Sequence, residues 1–181
     1  MLNRTDYENA KESTGGASSL PCGAYVCRIH DAKDFPDKQY IMIEYDIADG
    51  EYKDYAADTA ERAGFWPLKA WLSYKDRAVG MFKGRIKAIE SANPNWTFDF
   101  TDRGMIGKLF YATVVEEEYT KTNGSIGTRN SLDKMIKYDD YKAGRFKIPG
   151  KILVTQTAET AQAASTANDF LSQTDDSDLP F

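Results

Sequence analysis

Hydrophobic and polar positions alternate with a period of two along much of the first half of the chain. In residues 24–31, Tyr25, Cys27 and Ile29 share one face and Val26, Arg28 and His30 the other, the pattern of a half-buried strand. Phe35-Pro36-Asp37-Lys38 reads as a turn. Residues 39–47 alternate again, with Ile41, Ile43, Tyr45 and Ile47 toward a core and Tyr40, Met42, Glu44 and Asp46 away from it. Asp49-Gly50 is a tight-turn signal, and the run 51–56 after it is expected to form a third strand that closes a meander. In 58–75, Gly64-Phe65-Trp66-Pro67-Leu68 breaks any regular pattern, and Trp71-Leu72 fits strand or turn.

The period then changes. Val79, Phe82, Ile86 and Ile89 form one apolar stripe at helical spacing, Asp76 is placed to cap its start, and Asn93-Pro94 stops it. Gly104 and Gly107 open a strand over 108–119, Asn123-Gly124 and Gly127 mark a turn, and a last strand is expected over 128–138. Phe146-Lys147-Ile148-Pro149 closes the domain.

The order strand, strand, strand, helix, strand, strand is that of an OB-fold, a five-stranded Greek-key barrel. The expected fold is therefore all-β, with one helix between the third and fourth strands. A β-sandwich or an α+β sheet would show the same periodicity. Residues 1–20 are polar and read as an irregular arm, and 21–154 as the domain. Residues 155–174 read as a disordered linker that cannot bury enough surface to offset its ordering entropy, and 175–181 as an acidic tip.

Charge changes the picture because it is unevenly distributed. The 181-residue chain carries a net charge of −5. Residues 152–181 hold Glu159, Asp169, Asp175, Asp176 and Asp178 and no Lys or Arg, so the body is neutral and the tail carries the excess. A neutral body can still present one basic face to a nucleic acid. Aromatics are abundant, with eleven Tyr, nine Phe and three Trp, more than core filling calls for.

No apolar run approaches the roughly 18 residues of a membrane helix, and the N-terminus lacks a signal-peptide layout, so a cytoplasmic location without membrane contact is expected. Cys22 and Cys27 are expected as reduced thiols, with a disulfide as the alternative. With His30 as the one histidine, no metal or other cofactor is expected.

The chain ends in Asp175-Asp176-Ser177-Asp178-Leu179-Pro180-Phe181. Acids followed by an apolar-Pro-Phe end resemble the C-terminal tip of bacterial single-stranded DNA-binding proteins. A plain acidic solubilising tail is the competing interpretation. The body carries a second resemblance. Phe82-Lys83, Ile89-Glu90-Ser91-Ala92-Asn93-Pro94, Gly107-Lys108 and Arg145-Phe146-Lys147-Ile148-Pro149 look like phage-encoded single-stranded DNA-binding proteins from phages of Gram-positive hosts. The likeness spans about residues 20–155 plus the tip. It implies an OB-fold, single-strand binding in phage replication or recombination within the host cytoplasm, and a tip that docks on helicase, primase, polymerase or recombinase partners. In such docking Leu179, Pro180 and Phe181 would fill an apolar pocket while Asp175, Asp176 and Asp178 steer toward its basic rim. A homo-oligomer is compatible with it.

Non-specific single-strand binding needs cations for phosphates and flat rings for bases. In an OB-fold the second and third strands and nearby loops supply them. Tyr40, Tyr52 and Tyr55 are the candidate rings and Lys38 and Lys53 the candidate cations, with partial core burial competing for each tyrosine. Trp66, Lys69 and Trp71 lie in an aromatic-rich loop. At least one of the two tryptophans is expected in the core, and Trp66 is favoured as the DNA contact. Lys121 and Arg129 flank the last hairpin.

Two other classes compete with a single-strand binder. One is a phage adaptor whose body binds protein rather than DNA. The other is an enzyme, for which the chain offers no P-loop and no Cys/His cluster.

Overall fold

The structure is a computed structural model that describes residues 19–154 together with Asn3 and Glu8. The expected linker at 155–174 and tip at 175–181, and all but those two residues of the arm before 19, lie outside the described residues.

Among the described residues, five strands form one antiparallel sheet: β1 Gly23–Phe35, β2 Tyr40–Ile47, β3 Lys69–Ser73, β4 Leu109–Thr120 and β5 Ile126–Ile136, in the order β3-β2-β1-β4-β5. Among the described residues β3 and β5 are its two edges, and no ladder closes the sheet between them. Helix α1 (Tyr55–Ala63) lies between β2 and β3, α2 (Val79–Ala92) between β3 and β4, and the short α3 (Tyr138–Lys142) follows β5. α2 packs on β3, β4 and β5. The core lies on the sheet face that α2 covers, where Cys27, Ile29, Ile41, Ile43, Tyr45, Ile47, Leu72, Phe110 and Val114 meet Ile86 and Ile89. Among the described residues no helix is long and apolar enough to cross a membrane. Cys22 and Cys27 are free thiols.

The expected third strand at 51–56 is corrected. Residues 51–54 turn and α1 begins at Tyr55. The cause is tertiary. Asp54 takes a left-handed backbone (φ 62°) and its side chain caps nothing, while the Asp46 carboxylate on β2 accepts from the N–H groups of Ala56 (2.7 Å) and Ala57 (3.0 Å). Those are orphan donors of the first helical turn. Alanines at 56, 57, 60 and 63 favour the helix. Gly64, at φ 74°, ends it by donating to the Ala60 carbonyl. The third strand is instead the segment around Trp71-Leu72, paired in register with Tyr40–Glu44.

Other boundaries move for local reasons. β1 continues to Phe35 through a register shift between Ile29 and Asp31, and the expected turn at 35–38 is a single 3-10 turn, Pro36–Lys38. α2 starts at Val79, not at an Asp76 cap; Ala78 occupies the cap position, and the Lys75 carbonyl accepts from the Ala78 and Val79 N–H groups. At its other end the Asn93 amide donates to the carbonyls of Ile89 and Leu109 (both 2.7 Å), pinning the helix to β4. Beyond β5, Ile152 makes a parallel bridge with Glu117, its backbone bonded to Glu116 and Glu118 where β4 has outrun β1.

Candidate nucleic-acid interface

On a strand, alternate residues face opposite sides. Because Ile41, Ile43 and Tyr45 point into the core, Tyr40, Met42 and Glu44 point out, and the ladders extend each of them into a row across three strands. The rows are Phe35–Tyr40–Ser73, Lys33–Met42–Trp71 and Asp31–Glu44–Lys69. The outer face of β1, β2 and β3 therefore gathers three rings (Phe35, Tyr40 and Trp71) and two cations (Lys33 and Lys69). Lys38 is exposed on the turn that joins β1 to β2.

Trp71 is the most open of these rings, 55% exposed. Phe35 and Tyr40 pack as a tilted pair, centroids 5.1 Å apart, with Lys33 Nζ 5.3 Å from the Phe35 ring. Lys69 is tied to Glu44 at 2.7 Å, so its charge is shared. Lys33 and Lys38 form no ion pair among the described residues and are the freer cations.

Trp66 lies beside this face but is held differently. Its Nε1–H donates to the Tyr45 carbonyl (2.9 Å), and its ring stacks on His30, centroids 4.0 Å apart and planes 11° apart. The indole thus crosses β2 to reach β1, half-buried, with one ring face taken. Trp71 is the more accessible of the two tryptophans.

The remaining candidates lie elsewhere. Tyr52 packs edge-on against Tyr25 (6.0 Å, 89°), and Tyr55 opens α1 with its hydroxyl donating to Asn130 Oδ1 (3.4 Å). Both tyrosines lean on the core, and burial raises the pKa of Tyr55. Lys53 is exposed on the turn before α1. Lys121 and Arg129 belong to the β4–β5 hairpin. Lys121 is exposed, while Arg129 is bonded to Glu117 (3.0 Å), which raises the Arg129 pKa, and its guanidinium lies 5.4 Å from the Tyr119 ring. The structure therefore brings Tyr40, Lys69 and Trp71 onto one face, with Lys38 on the turn at its end and Trp66 at its border, and leaves Tyr52, Lys53, Tyr55, Lys121 and Arg129 apart from it.

Sequence reasoning missed Lys33, Phe35, Met42 and His30. Met42 and His30 fall on the expected outward faces but carry no assigned role, and for Lys33 and Phe35 the register shift is the reason. Before it, odd-numbered residues of β1 face the core; after it Ala32 is buried and Lys33 and Phe35 face out. The signal available was the second alternation, Ala32-Lys33-Asp34-Phe35, offset by one residue from the first.

No protein-family model matches the chain, and no curated protein matches it either.

Proposed function

We propose that this chain is a non-catalytic, sequence-nonspecific single-stranded DNA-binding protein that coats and protects exposed strands and recruits partners through its C-terminal tip. The observation that carries the reading is the outer face of β1–β2–β3, where the exposed Trp71 ring shares a row with Lys33 and the neighbouring row holds Phe35 and Tyr40. Each stacked base is worth about 1–3 kcal/mol and tolerates any sequence, because every base has a π-face.

Topology supports the OB assignment within this proposal. The order β3-β2-β1-β4-β5, with a helix between β3 and β4, is that of an OB barrel opened between β3 and β5. The likeness to phage single-stranded DNA-binding proteins supplies the setting, phage replication or recombination in a host cytoplasm. The sequence 175–181 supplies the recruitment of replication and recombination proteins.

The test is anisotropy of a labelled oligo(dT) titrated with the full chain at low and moderate salt, with duplex DNA as competitor. Salt-sensitive binding that duplex does not displace is expected. No binding at low salt would overturn the reading and leave the adaptor, whose body binds protein, as the working one.

A further inference from the structure

Two depressions outside the face described above form a single trough. One, about 460 Å3, lies between α2 and β5 and is lined in part by Arg85, Lys134, Lys137, Arg145 and Phe146. The other, about 370 Å3, continues past Asp133, Lys134 and Phe146 to Lys147 and Gly150. They share those three residues, so their walls are continuous.

The trough is cationic in a specific way. Its two carboxylates are engaged: Asp133 accepts from the Thr113 hydroxyl (2.8 Å), and Asp140 is paired with Arg145 (2.9 Å). Arg85, Lys134, Lys137 and Lys147 form no ion pair among the described residues. Arg85 is the telling one. It is half-buried, and burial lowers its pKa, yet its bonded partner is a neutral carbonyl rather than an anion. A desolvated guanidinium without a counter-charge is stabilised by any anion that enters.

Arg85 also fixes where the trough begins. Its Nη1 donates to the Trp71 carbonyl (3.0 Å). The strand that displays the open indole is therefore the strand that holds the first cation. Where the two depressions meet, the Phe146 ring lies nearly parallel to Tyr141, 12° between planes and centroids 5.6 Å apart.

We propose that this trough is a second segment of the single-strand path. The nucleic acid leaves the Trp71 face at the β3 edge, passes Arg85, and lays its phosphates along Lys134, Lys137 and Lys147 with a base against Phe146. The inference rests on the single-strand reading above and adds a length to it: a short oligonucleotide fills the β1–β2–β3 face, and a longer one enters the trough across the gap between β3 and β5.

The experiment compares the full chain with its Arg85→Gln/Lys134→Gln/Lys137→Gln variant on oligo(dT) of about 5 and about 15 nucleotides, within the range one such domain covers. Circular dichroism checks the fold, and Arg85→Lys/Lys134→Arg/Lys137→Arg serves as the charge-retaining control. Single-strand binding loses about 0.7 in the slope of log affinity against log salt per phosphate contact, so the long strand should lose about 2. The short strand should bind as before, and the control should keep the full slope. An unchanged slope on the long strand would overturn the trough. An equal loss on both lengths would put these cations in the primary site and overturn the second segment while leaving the single-strand reading intact. Failure of the unmodified chain to bind either oligonucleotide would remove both.

Discussion

The indole of Trp66 is held from two sides, its N–H bonded to the Tyr45 carbonyl at 2.9 Å and its ring stacked on His30 at 4.0 Å. Such a ring fastens the loop that leads into β3 to the outside of β2. Trp66→Ala removes a half-buried indole and leaves a carbonyl without its donor, a loss of about 2–3 kcal/mol of stability. Urea denaturation followed by circular dichroism reads this directly. A midpoint equal to that of the parent would show that the loop does not depend on the indole.

Trp71 makes the opposite prediction. It stands on the edge strand with over half of its surface open, and its side chain points away from the buried Ala70 and Leu72. Trp71→Ala should change stability by no more than about 0.5 kcal/mol. It should weaken oligo(dT) binding by about 1–3 kcal/mol, a factor of roughly 5 to 150. Full affinity in the folded variant would remove Trp71 from the interface and shift attention to Phe35 and Tyr40.

The contrast between these tryptophans shows what the sequence carries and what it lacks. β2 was legible because Ile41, Ile43, Tyr45 and Ile47 alternate without interruption. β4 and β5 were legible because Asn123-Gly124 separates two long β-rich runs. The outward direction of Trp71 follows from Ala70 and Leu72 once 69–73 is known to be a strand. What failed depended on partners distant along the chain. α1 owes its first turn to Asp46, on the preceding strand and ten residues before Ala56, and the pattern of 51–56 itself does not show that the chain folds back onto that carboxylate. Trp66 is anchored by a backbone carbonyl 21 residues away. The outer face of β1 was hidden by a single inserted residue, which reverses every later side chain of the strand.

Tyr45 tests the core itself. Its ring packs edge-on against Phe110 at 5.5 Å, and its hydroxyl is buried with no hydrogen-bond partner among the described residues. Burial pushes its pKa well up. An unsatisfied buried hydroxyl costs about 1–3 kcal/mol, and Phe fills the same space without it. Tyr45→Phe should therefore leave stability unchanged or raise it by about 1 kcal/mol, measured by urea denaturation. A clear loss of stability would mean that the hydroxyl is bonded in solution.

The paired glutamates on β4 set the acid limit of the fold. The Glu116 pKa is lowered first by its bond from Lys151 and then by one from Ser19. That of Glu117 is lowered by Arg129, with a smaller part from Ser131. A carboxylate whose folded pKa lies below its unfolded value adds stability that is complete above the unfolded pKa, about 4.3 for glutamate. That stability drains away as pH falls through the lower folded value, because the unfolded chain takes up the proton first. The thermal midpoint should accordingly hold between pH 7 and about pH 5 as far as these residues govern it, then drop more steeply below about pH 4. In Glu117→Gln the midpoint should be lower than the parent's at neutral pH, and the two should converge in acid, where the parent glutamate is itself protonated. A gap between the two melting curves that persists unchanged into acid would show that Glu117 acts through packing rather than through its charge.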